Sequence, residues 1–288
     1  MIKLFTDSGA NLPLKLIKKY DIKVIAFSYY SEENEEAEIQ ADFDIKNFYY
    51  SMRKGKVYKT SMINIDTFTK SFKKELINNN DIIYIGMSSG ISGTFGAANA
   101  AKNYLSKIFK DRQIQVIDSR GASLGEGMVV LEAAKLIAQG LSFNTIVNCV
   151  RKLLPNMCQI FTVDDLKYLK STGRVSSAAA IVGSMLGIRP LLIGSDEGKI
   201  IMNGKVRGMT KALDAIADKY DKLVLEKRSP IGIAHADNEK AVKYLLKKLR
   251  EKGFCGKEIV EYYEPVTGSH VGPGTVAMFF YGQSRTAL

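Results

Sequence analysis

Apolar and polar positions divide the chain into short apolar runs that end in small polar residues and longer stretches with helical spacing. The clearest unit spans 81–108. DIIYIG reads as a buried strand and MSSGISGTFGA as a Gly/Ser/Thr-rich turn. ANAAKNYLSKI then reads as a helix with Phe95, Ala98, Ala101, Leu105 and Ile108 on one face. The same grammar predicts a strand at 2–6 ending in Asp7-Ser8-Gly9, a helix opened by Pro13, and a strand at 22–27. It also predicts a strand at 114–118 and a helix at 127–138, with Ser123 and Glu126 as a capping box. Helices are expected at 43–52, 66–78 and 143–154. The run 32–38 reads as an acidic solvated loop, and 54–59 as a basic connector leading to Thr60-Ser61.

After Pro155-Asn156 the texture changes. Strands are expected at 159–163, 188–194, 198–202, 231–235, 258–263 and 276–281, with helices at 164–170, 212–220 and 239–252. Asn203-Gly204 is a hairpin signal, and 264–274 reads as a Gly/Pro-rich loop. The alanine-rich segment 176–187 reads as a tightly packed helix capped by Ser176, whose small side chains suit the wall of a narrow apolar tunnel. The fold class is therefore α/β in two domains. Residues 1–155 form a parallel α/β domain with ligand loops at the strands' C-terminal edge, and 156–288 a smaller α+β domain with antiparallel pairs.

Composition narrows the class. At 288 residues with 46% hydrophobic and 25% charged, the chain is an ordinary globular sequence. Its net charge of +11 is spread over many helices. That pattern reads as a solvated surface or as a docking face for an acidic or phosphorylated partner, and no nucleic-acid motif accompanies it. No run is long enough to cross a bilayer, and the N-terminal MIKLFTDSGANLP lacks a signal-peptide core. Cys149, Cys158 and Cys255 have no metal-binding spacing and read as buried reduced thiols of a cytoplasmic protein; no metal site is expected.

The chemistry concentrates at the turn after residue 86. The first amides of a helix lack partners and face the crevice above the strand with the positive end of the helix dipole, which suits an anion. Ser88, Ser89, Ser92 and Thr94 add hydroxyls. The turn is neither a Walker A loop nor a dinucleotide fingerprint. Gly86-Met87-Ser88-Ser89-Gly90 does match the G-x-S-x-G nucleophile elbow. A serine hydrolase built on Ser88 would need a base from His235 or His270, with an acid such as Asp237. His235 ends a strand and serves equally well as a strand-end hydrogen-bonder. His270 sits beside Ser269 in a loop that no core demands, which points to a ligand role.

Taken together, TDSGANLP, KTS, SSGISGTF, VIDSRGASLGEG, DDLKYLKSTGRVS, GKVRG, IAHADN and SHVGPGTV, in this order, resemble the DegV family of FakB-type bacterial fatty-acid-binding proteins over essentially the whole chain. The resemblance implies a long-chain fatty acid buried between the two domains and no catalytic residues or cofactor. Its carboxylate would be held by Thr60 and Ser92, with Ser61, Gly93 and Thr94 alongside and His270 beside the head group. The resemblance also implies an ATP-dependent fatty acid kinase as partner, docked on a basic surface that includes Arg174 and Arg207. The acyl phosphate would then pass to phospholipid synthesis, where an acyltransferase is a further expected partner. The chain departs from the family pattern at Met62-Ile63-Asn64, where Gln-Pro-Ser or Gln-Pro-Ala is common, and this loosens the turn that carries Thr60. Gly96 replaces a bulkier residue expected at the mouth of the site.

Overall fold

The structure is a computed structural model that describes residues 1–31, 34–38, 43–175 and 187–287. The expected alanine-rich helix, from Ser176 to residue 186, lies outside the described residues.

The chain opens with β1 (Ile2–Asp7), α1 (Leu14–Lys19) and β2 (Lys23–Ile25). A small hairpin follows, made of β3 (Ser28–Ser31) and β4 (Asn34–Glu38), then α2 (Ile45–Arg53) and β5 (Tyr58–Ser61). Next come α3 (Ile65–Ile77), β6 (Asp81–Gly86), α4 (Thr94–Ile108), β7 (Ile114–Asp118), α5 (Leu124–Ala138) and α6 (Phe143–Leu153). Strands β2-β1-β6-β7 form a parallel sheet. Its apolar strands are covered on both faces, as parallel sheets require. Phe5, Ile82, Tyr84 and Val116 face α3 and α4, whereas Leu4, Ile83, Ile85 and Ile117 face α5.

The run read as an acidic loop is in part a strand: β4 pairs with β3 at the edge of a three-stranded antiparallel sheet, β4-β3-β5. The basic connector also ends in a strand, since β5 pairs Thr60 with Tyr29. Of the predicted face of α4, Ala98, Ala101 and Leu105 are buried, whereas Ile108 is exposed at the helix's last turn.

The second part begins with β8 (Met157–Thr162), α7 (Lys167–Ser171), β9 (Ile188–Gly194), β10 (Ile200–Arg207) and α8 (Met209–Leu223). It continues with β11 (Ile231–His235), α9 (Glu239–Glu251), β12 (Glu258–Tyr262), α10 (Pro265–Val271) and β13 (Val276–Tyr281). The six-stranded sheet runs β10-β9-β8-β13-β11-β12, antiparallel except for β11 with β12. Helices α8 and α9 cover one face and α5 packs on the other. Helix α5 is thus enclosed between the two large sheets, which explains why LGEGMVVLEAAKLIA is apolar nearly all round.

Four further expectations are corrected. The β9–β10 turn is Ser195–Lys199, not Asn203-Gly204: Ser195 N donates to Lys199 O at 2.8 Å, and Gly198 takes the left-handed φ of 72°. Asn203-Gly204 lies inside β10 as an irregularity opposite Leu191 and Leu192, so its turn-forming backbone makes a bulge. The segment 264–274 contains a short helix, α10, whose N-cap Glu264 accepts from Val266 N and Thr267 N with Pro265 in the first turn. The capping box also fails: Ser123, at φ 53°, makes no side-chain cap and instead accepts from Asn11 Nδ2 at 3.2 Å. As for the thiols, Cys158 is buried, Cys149 half-buried and Cys255 exposed.

Glu126 meets the parallel sheet. It accepts from Thr6 Oγ1 at 2.9 Å beside Asp7, and Glu126, Thr6 and Asp7 are all fully buried. Asp7 accepts from Tyr84 Oη, Met87 N and Gly9 N, which fixes the start of the turn after β6. No N–H or O–H among the described residues reaches Glu126 Oε2. The two buried carboxyls lie close enough for each to feel the other's charge, which disfavours ionising both. Burial pushes Asp7 up from 3.8 to about 6 and raises Glu126 well above the usual carboxylate range. Burial likewise pushes Glu264 up from 4.5 to about 7.

The fold therefore favours the neutral forms of these acids. Their contribution is fully present below the ordinary carboxylate pKa and is lost as pH rises through the folded values. Thermal melts should show a melting temperature that falls between pH 4.5 and 7.5. Glu126→Gln, which keeps an acceptor for Thr6 and cannot ionise, should flatten that dependence. A slope equal to that of the unsubstituted protein would contradict the assignment.

Candidate functional site

The site forms where three pieces of backbone converge: β5, the turn between β6 and α4, and α10. Pairing with β3 fixes Thr60, and α10 packs against β5 and carries His270. Thr60 Oγ1 and His270 Nε2 are hydrogen-bonded at 2.8 Å. The other ring nitrogen, Nδ1, is buried without a partner among the described residues. Burial, reinforced by the Arg174 guanidinium, pushes the imidazole down to about 4. His270 is therefore neutral at pH 7, one nitrogen a donor and the other an acceptor. Arg174 is held at the rim by hydrogen bonds from Nε to Ile91 O, at 3.3 Å, and from Nη1 to Thr172 O.

Ser92 precedes α4. Its hydroxyl donates to Thr94 Oγ1 at 3.0 Å and accepts from Thr94 N at 3.3 Å. Thr94 is fully buried and accepts from Ile63 N at 3.4 Å, which ties the turn after β5 to the start of α4. It does not line the cavity, whereas Thr60, Ser61, Ser92, Gly93, Arg174 and His270 do. The unusual Met62-Ile63-Asn64 has clear local roles. Asn64 caps α3 by accepting from Thr67 N at 2.9 Å, Ile63 is buried, and Met62 lies half-exposed over Gly93. Gly96 is exposed on α4 and is not part of the cavity wall.

Inward from this polar rim the cavity holds about 280 Å3, near the small end of ligand pockets at roughly 300–1,000 Å3. Phe27, Met87, Ile91, Phe161, Val266 and Phe279 make its walls largely apolar. Outward, a groove of about 590 Å3 shares Thr60, Arg174 and His270 and runs past Lys56, Lys59, Lys167 and Tyr168. Arg207 is exposed at the end of β10 and lines neither space.

The arrangement gives no support to Ser88 as a nucleophile. Its hydroxyl is fully buried, donates to Gly198 O at 2.8 Å and accepts from Gly90 N at 3.1 Å. Neither histidine reaches it: His270 bonds Thr60, and His235 Nδ1 accepts from Asn238 N at 3.2 Å beneath the Tyr262 ring. Two contributors carried no functional reading from sequence. Asp7 fixes Met87 in the cavity wall, and the polar Asp-Ser-Gly after β1 was its only signal. Gln159 lines the cavity from the apolar strand β8, and its polarity in that run was the trace it left.

A sequence model described as "Uncharacterised protein, DegV family" matches residues 1–283. A DegV domain-containing protein of Clostridium perfringens is 33% identical over 284 residues, covering 98% of each chain. Among solved structures, DegV of Bacillus subtilis, described as a fatty acid binding protein, is 27% identical with a TM-score of 0.84; the match covers 98% of this chain and 99% of that one. A Thermotoga maritima protein whose structure is described as revealing a fatty acid binding function is 29% identical with a TM-score of 0.83, over 98% and 99% of the two chains.

The neutral imidazole is directly testable. Ring resonances of His270 should titrate with a midpoint near 4 by NMR, and Arg174→Ala should raise it. A midpoint between 6 and 7 in the unsubstituted protein would contradict the buried geometry.

Proposed function

The chain belongs to the DegV family, and on that premise we propose that it binds a long-chain fatty acid, with the alkyl chain in the apolar cavity and the carboxylate at Thr60, Ser92 and His270. Ser61 and Gly93 line the same rim, and Thr94 orients Ser92. The observation that carries this reading is the Thr60–His270 hydrogen bond in a largely apolar cavity that Ser92 also lines. Each buried methylene contributes about 0.8 kcal/mol, and a carboxylate brought in without partners would cancel much of that gain. Two hydroxyls and a neutral imidazole supply partners and orientation. Arg174 at the rim adds positive charge without entering the apolar part.

The outer basic groove supports a further step. The carboxylate end would face a second protein, an ATP-dependent fatty acid kinase, with Arg174 and Arg207 in its docking surface. The resulting acyl phosphate would pass to an acyltransferase of phospholipid synthesis. On this reading the protein would work in the cytoplasm. No helix among the described residues is long and apolar enough to cross a membrane. The division into 1–155 and 156–288 puts the ligand between two domains that share α5 as a common layer.

Protein purified from a bacterial host, denatured and extracted, should release long-chain fatty acid by mass spectrometry. Ser92→Ala should weaken retention on the order of ten-fold, the effect of one or two lost hydrogen bonds, with the melting temperature of the empty protein little changed. Unsubstituted protein that neither carries nor binds fatty acid would overturn the reading, and unchanged retention in Ser92→Ala would displace the carboxylate from this rim.

A further inference from the structure

The cavity wall formed by β8 carries a polar device that an unsubstituted alkyl chain cannot use. Along β8, Met157 and Phe161 face α5 and the cavity side, whereas Cys158 and Ile160 face α8. Gln159 falls in the first set, between Met157 and Phe161, where the strand's alternation calls for an apolar residue. Its partner across the ladder is Phe279, also in the cavity wall.

The backbone around Gln159 is shaped to its amide. A Cβ placed on Gly121 or Gly125 would lie 2.7 or 2.6 Å from an amide atom of Gln159, so a side chain at either position would displace that amide from its present place. Gln159 Nε2 donates to Arg120 O at 3.2 Å, and Arg120 holds that carbonyl in place with a left-handed φ of 53°. The same carbonyl accepts from Arg285 Nη2. Arg285 is fully buried just behind this wall, with Nε and Nη1 unpartnered among the described residues. A glutamine side chain offers two N–H donors and an acceptor oxygen with two lone pairs. The Arg120 carbonyl is the one hydrogen-bond partner of this side chain among the described residues. The remaining capacity belongs to a residue that lines the cavity.

From this we infer that the cavity selects an oxygenated acyl chain, one carrying a hydroxyl or keto oxygen where it passes Gln159. Such an oxygen accepts from the free N–H of Nε2, and a hydroxyl also donates to Oε1. A run of methylenes leaves both groups desolvated and unpaired. A site built to hydrogen-bond a substituent discriminates against the analogue that lacks it for this reason. Recognition of the carboxylate at the rim is unchanged, so the inference rests on the fatty-acid reading and adds the class of chain.

Delipidated protein titrated with palmitic acid and with monohydroxypalmitic acids, the hydroxyl stepped along the chain, tests it by displacement of a fluorescent fatty acid. A narrow range of hydroxyl positions should bind roughly ten-fold tighter than palmitic acid. Gln159→Leu, or Gln159→Met if leucine disturbs folding, should bring that ratio to about one. Palmitic acid bound as tightly as every hydroxy isomer overturns the inference alone, as does a preference that survives either substitution. Protein that binds neither class overturns the fatty-acid reading and the inference with it. The ratios of the unsubstituted protein decide even where a variant fails to fold.

Discussion

The hydrogen bond between Thr60 and His270 is the interaction on which the site depends, because it fixes two polar side chains where β5 packs against α10. Thr60 belongs to the three-stranded sheet, and His270 to a helix inserted between β12 and β13 of the six-stranded sheet. Their contact is possible only because α5 holds the two large sheets at a fixed spacing, with apolar side chains on nearly every side. Small residues make that spacing tight: a Cβ on Gly127 would strike Ala10 O, and one on Gly125 would strike Gln159 and Phe279. Close-packed interiors do not deform continuously, so the cleft inherits the rigidity of α5 and its neighbours.

Burial then sets the chemistry. An imidazole exposed to water would be partly charged near neutral pH; enclosed beside Arg174 it is held neutral. Neutrality makes Thr60 and His270 an adaptable donor–acceptor pair, while the fixed charge stays at the rim. The same burial acts one layer back. Burial raises the pKa of Asp7 and of Glu126 at the base of the turn whose far end carries Ser92. In the proposed account, the cleft thus needs little rearrangement to receive an anion, which is how pre-organised donors gain affinity.

Much of this was legible in the sequence, and what was missed has a common cause. Apolar runs ending in small polar residues marked the parallel sheet, and the Ser/Gly-rich turn after β6 marked the rim, because both signals are local. The Asn203-Gly204 turn failed because a dipeptide suited to reversal also suits a bulge, and Ser195–Lys199 supplied the reversal instead. Helix α10 was hidden among Gly and Pro residues, although an acid followed by Pro is a helix start. Ser123 and Glu126 carried the letters of a capping box but serve Asn11 and Thr6, far away in sequence. Gln159 was the deepest omission. Its meaning depends on which face of β8 it occupies and on two glycines from another segment, Gly121 and Gly125, neither of which a strand pattern reveals.

The central claim concerns where a carboxylate sits. A crystal structure of the protein bound to a fatty acid brominated near its methyl end would locate both ends of the ligand, the bromine by anomalous scattering. The account predicts carboxylate oxygens within hydrogen-bond distance of Thr60 Oγ1, Ser92 Oγ and the His270 ring, with the bromine inside the cavity between the two large sheets. A bromine peak at the outer groove, or a carboxylate resting away from these three residues, would contradict it.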